Sequence, residues 1–145
     1  MRTTHPILAG MAGTAAMTAM MYMAPLMGLP NMNVPAMLSM MLGAPLIIGW
    51  LMHAMIGVAF ALLYARLFHR AVKNIGNPVV RGLLFGTVVF LLAQVVMAMM
   101  TRMMGAAPAP AGGMLPMMIG SLIGHLVYGT VVATLLNPAA RAAHS

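Results

Sequence analysis

The chain has 145 residues, of which 63% are hydrophobic and 5% charged, with a mean hydropathy of +1.00. Soluble globular domains carry about a quarter charged residues, so this composition excludes that class and points to a lipid bilayer. The net charge of +7 arises without one Asp or Glu, and there is no Cys; carboxylate proton relays, hard-cation cages, disulfides and thiolate metal sites are therefore excluded.

Four stretches are long enough to cross about 30 Å of hydrocarbon, for which roughly 20 apolar residues suffice. The first, residues 7–27, follows Arg2 as a secretory signal would. It is longer than a typical signal core and lacks a small-x-small cleavage site, so it is read as a retained helix. Residues 31–43 have their own pattern. Asn33 can cap, Pro35 suits a first helical turn, and Met37, Met40 and Met41 share one face, which predicts a short helix over 34–42 at the outer interface.

The second stretch, 45–68, contains Gly49-x-x-x-His53-x-x-x-Gly57. The third is 79–104. Residues 105–113 are Ala, Pro and Gly without periodicity and predict a loop. The fourth, 115–136, contains Ser121-x-x-x-His125-x-x-x-Gly129. Lipid offers backbone groups no partners, so each stretch must be helical. The expectation is an all-α membrane protein, a single transmembrane domain over 1–145 forming a four-helix bundle.

Arg2, Arg66, Arg70, Lys73, Arg81 and Arg141 fall on one side of these spans and Arg102 alone on the other. Lys and Arg are retained in the cytoplasm, so both termini are expected there. So few cations, spread along membrane edges, suit anionic lipid head groups; nucleic acid is not an expected partner. A shift of 72 residues superposes Gly10 on Gly82, Gly49 on Ser121, His53 on His125 and Gly57 on Gly129. That predicts two helical hairpins related as a parallel repeat, with close packing at sites such as Gly120-x-x-x-Gly124.

An imidazole in hydrocarbon is costly unless it is paired, hydrogen-bonded or ligating. At 1.5 Å per residue, His53 and His125 both lie roughly 12–15 Å from the outer ends of helices that are diagonal in an up-and-down bundle. The leading expectation is a redox cofactor, haem b, held axially by His53 and His125 for electron transfer or cofactor handling. Gly49, Gly57, Ser121 and Gly129 would give the macrocycle room, Arg102 would meet a propionate, and Trp50, Tyr128 and Gln94 would line the pocket.

Methionine suggests an alternative. Of 21 Met, nine lie between Met17 and Met41 and eight between Met97 and Met118, with none from Ile56 to Val96. Thioethers suit Cu(I), so His53 and His125 with Met20 and Met97 form a second expected site. Other helically spaced sets are Met17, Met20 and Met21; Met97, Met100 and Met104; and Met114, Met117 and Met118. Met is also a flexible packing residue.

A third reading makes the histidines internal glue, bonded to each other, to Gln94 or Thr18, or to water, in a non-catalytic accessory or assembly subunit of a larger membrane complex. His5, His69 and His144 receive no site. There is no P-loop, acid pair or nucleophile beside a base, so no catalytic residue is assigned. A homo-oligomer is expected, since four short helices enclose little volume.

The segments Gly10-Met-Ala-Gly-Thr-Ala-Ala-Met-Thr18, Gly49-Trp-Leu-Met-His53-Ala-Met-Ile-Gly57 with Tyr64-Ala65, and Ser121-Leu-Ile-Gly-His125-Leu-Val-Tyr-Gly129 resemble an uncharacterised family of small bacterial four-helix membrane proteins. The resemblance covers nearly the whole chain and implies the fold and a bacterial inner-membrane location. The chain departs from that pattern at Asn31-Met32-Asn33 and in its Met enrichment.

Overall fold

The computed structural model describes residues 4–104 and 113–137. Arg2 and Arg141, which entered the orientation argument, and residues 105–112 of the predicted loop lie outside them. The described residues form helices joined by short turns, without strands: α1 (Thr4–Met23), α2 (Val34–Leu42), α3 (Leu46–Leu63), α4 (His69–Ala71), α5 (Pro78–Met104) and α6 (Met114–Leu135). A 3-10 turn, Ala24–Met27, ends α1, and a π turn, Tyr64–Phe68, joins α3 to α4 without a break. Four of these segments are long and apolar enough to cross a membrane, which makes this a multi-pass membrane protein.

The short helix begins as its sequence dictates. Asn33 Oδ1 accepts the Ala36 amide at 2.9 Å, Pro35 occupies the first turn, and Gly43 closes the helix with positive φ. Pro35 and Ser39 are buried against α3, at the place where Gly49 lets the Pro35 carbonyl approach; a Cβ at Gly49 would strike that oxygen.

The long helices run antiparallel to their neighbours, and glycine sets their separation. A Cβ on Gly10 would fall within 3 Å of Val58 Cα and the Gly57 carbonyl oxygen. In the other hairpin a Cβ on Gly82 would meet Thr130 Cα and the Gly129 carbonyl oxygen, the same two atoms 72 residues on. Such backbone-to-backbone approach is how helices associate where lipid removes the hydrophobic driving force.

The hairpins dock through α1 and α6, where Gly13 makes room for the Tyr128 ring and Tyr128 Oη donates to the Gly57 carbonyl at 2.5 Å. No comparable seam joins α3 to α5; instead Phe85 of α5 meets the aromatic rings of the π turn. Phe85 lies 4.9 Å from Tyr64 and 5.0 Å from Phe68, centroid to centroid. Phe85 stands 72 residues after Gly13: a large ring occupies the position on α5 where α1 has no side chain.

Candidate functional site

His53 and His125 are both buried, 6% and 9% exposed, as an imidazole within an apolar span must be. Thr18 Oγ1 and His53 Nε2 share a hydrogen bond of 3.2 Å, so His53 of α3 is level with residues 17–21 of α1. Met17 and Met21, one turn apart, flank Gly124, the residue before His125: a Cβ at Gly124 would lie 3.5 Å from Met17 Cγ and 3.6 Å from Met21 Cε. Phe90 of α5 completes the level, its ring 5.9 Å from that of His125. Four helices thus contribute to one layer holding two imidazoles and two buried thioethers.

His125 Nδ1 lies 2.7 Å from the Ser121 carbonyl oxygen, with Ser121 Oγ at 3.5 Å. A carbonyl only accepts, so Nδ1 carries the proton and Nε2 keeps its lone pair. A backbone carbonyl on the far nitrogen is also how proteins orient a ligating histidine. His53, its Nε2 committed to Thr18, forms part of the wall of a groove of about 430 Å³ between α1 and α3, together with Thr14, Thr18, Trp50 and Tyr22. Of the layer's side chains, this groove touches His53 and Thr18.

The glycines expected to flank a macrocycle serve another purpose. Gly49 faces Pro35, Gly57 faces Thr14 and the Gly10 carbonyl, and Gly129 faces Gly82 and Gly86. Each is filled by a neighbouring helix, and Ser121 is turned to His125, so these residues do not frame a flat slot and do not fit a porphyrin. Arg102 is exposed and stands twelve residues beyond Phe90, about 18 Å along α5, too far for a propionate at this level.

The thioether assignment also changes. Met97 lies seven residues beyond Phe90, about 10 Å outside the layer, and Met20 is half-buried, whereas Met17, Met21 and Met32 are buried at 7%, 3% and 8% exposure. Met32 covers Gly120, one turn from Gly124. The sequence does not single them out, because Met20 shares the helical spacing of Met17 and Met21. Of the residues expected to line a pocket, Trp50 borders the groove, Tyr128 spans the bundle one turn from His125, and Gln94 is half-buried.

Fold and site define a multi-pass, four-span helical membrane protein with a polar layer buried in its apolar interior. The chain belongs to DUF6789, a family of unknown function, whose profile matches residues 2–144. No curated protein and no solved structure matches it.

Proposed function

We propose that this protein binds and handles a soft monovalent metal, Cu(I), in the layer formed by His53, His125, Met17 and Met21. The observation that supports the reading is that buried imidazoles and buried thioethers from three helices lie at one level of a chain that has no carboxylate or thiolate side chain. That donor set suits Cu(I) and suits hard cations poorly. His125 offers Nε2, Met17 and Met21 offer sulfur, Ser121 holds the His125 ring, and Thr18 positions His53. The groove beside His53 supplies a route from the flank.

The surrounding architecture belongs to the same proposal. The protein lies in a bacterial inner membrane with both termini cytoplasmic, since the cations of Arg66, Arg70, Lys73 and Arg81 gather at one end. Its hairpins are a parallel repeat, supported by the matching contacts of Gly10 and Gly82. In this orientation α2 and most methionines lie toward the outer side, and copies of the chain associate through lipid-facing surfaces.

One observation favours a second reading, in which the protein is an accessory subunit and the histidines are glue: both rings already have partners within the chain. Anaerobic titration of the purified protein with Cu(I) against a chromophoric chelator separates the two. The metal reading requires retention of about one Cu(I) per chain, weakened at least about tenfold in His125→Ala. Absence of copper binding, with His53→Ala and His125→Ala lowering only the melting temperature, supports the accessory reading.

A further inference from the structure

We infer that the opening between α3 and α5 binds one anionic phospholipid, its acyl chain in an apolar groove and its phosphate on Arg66, Arg70 and Lys73. This inference needs only that the four helices cross a bilayer and is independent of the copper reading.

The groove has a volume of about 290 Å³ and is lined by Phe60, Leu67, Phe68, Phe85, Val88 and Leu92, among others. Its cause is visible in the chain. Gly13 lets α1 close on α6, whereas Phe85, at the matching place on α5, wedges against Tyr64 and Phe68 and keeps α3 from closing on α5. A cleft with this lining, set between two spans, suits a hydrocarbon chain.

Three cations lie within two residues, along the chain, of side chains that line the groove. Arg66, Arg70 and Lys73 are exposed, one on the π turn, one on α4 and one on the turn that follows it. They interleave with Leu67, Phe68 and Ala71, which line the groove. Arg81 is differently employed: its guanidinium donates to the Ile75 carbonyl at 2.5 Å and the Lys73 carbonyl at 3.2 Å, tying down the turn before α5.

With no Asp or Glu in the chain, no side-chain carboxylate can neutralise the three cations. A second copy would bring more positive charge to them. A lipid phosphate brings the opposite sign at the right depth, and basic recesses between spans are where anionic head groups bind.

The test is native mass spectrometry of the full chain in mild detergent, titrated with phosphatidylglycerol or phosphatidylcholine of the same acyl length. The expected result is a preference of at least about tenfold for the anionic lipid. The preference disappears in Arg66→Gln/Arg70→Gln/Lys73→Gln, and retention of the anionic lipid falls in Val88→Trp, which fills the groove but keeps the cations. Leu92→Trp replaces Val88→Trp if the latter melts early. Equal binding of the two lipids overturns the inference. So does an unchanged preference in the triple variant, unchanged retention in the folded groove variant, displacement of the lipid by glycerol phosphate alone, or a groove occupied by a second copy of the chain.

Discussion

Tyr128 reaches across the bundle to donate its hydroxyl hydrogen to the carbonyl of Gly57 at 2.5 Å, a carbonyl that also forms the floor of the Gly10 crossing. One phenol thus ties the second hairpin to the backbone contact that closes the first. Tyr128→Phe keeps the ring packed against Gly13 and removes only this bond. The expected loss is about 0.5–1.5 kcal/mol, read as a lower midpoint of denaturation in detergent with an unchanged helical spectrum.

The glycines divide into two kinds, and alanine substitution distinguishes them. At Gly86 a Cβ meets the His125 carbonyl and Leu126 Cα, which are backbone and cannot turn aside. Gly86→Ala is expected to cost about 1–3 kcal/mol through forced separation of α5 and α6. At Gly124 the nearest atoms are the flexible ends of Met17 and Met21 at ordinary contact distance. Gly124→Ala therefore leaves stability unchanged or raises it by up to about 1 kcal/mol from helix propensity. Thermal melting of the two variants side by side checks the order.

Much of the fold is legible in the sequence because bilayer thickness and backbone satisfaction act on composition alone. The four spans come from runs of apolar residues, and α2 comes from the Asn33 cap with Pro35, within a residue or two of where the helix begins and ends. What each helix turns inward is harder to read. A span that is apolar on every side carries no stripe to mark the buried face, so nothing in composition separates Met17 and Met21 from Met20, or Phe90 from Met97. His53 and His125 announce themselves as the rare polar groups. Their glycines mislead, because glycine that admits a helix backbone and glycine that admits a flat ligand look alike in sequence. The bond from Thr18 to His53 was legible, since a buried hydroxyl and a buried imidazole each need a partner. The wedge at Phe85 was not, because its meaning depends on the contrast with Gly13 once the hairpins are docked.

Asn33→Ala tests the start of α2. The Ala36 amide loses its acceptor, and a cap of this kind contributes about 1 kcal/mol. Hydrogen exchange should accelerate in residues 34–42 while the spans keep their protection. Faster exchange in α3 as well would show that α2 holds the Gly49 face in place.

Among the methionines the layer predicts a split. Met17→Leu and Met21→Leu keep apolar volume and should cost less than about 1.5 kcal/mol in stability, yet each weakens Cu(I) retention at least about tenfold by removing a soft donor. Met97→Leu, about 10 Å outside the layer, leaves retention unchanged. Chelator competition on the three variants measures this directly.

The central claim is that His125 and the thioethers of Met17 and Met21 share one soft ion, and X-ray absorption at the copper edge of the Cu(I)-loaded protein addresses it most directly. The account predicts imidazole nitrogen and thioether sulfur together in the first coordination shell, with the sulfur contribution lost in Met17→Leu/Met21→Leu. A shell without sulfur, or one unaltered in that double variant, would contradict it.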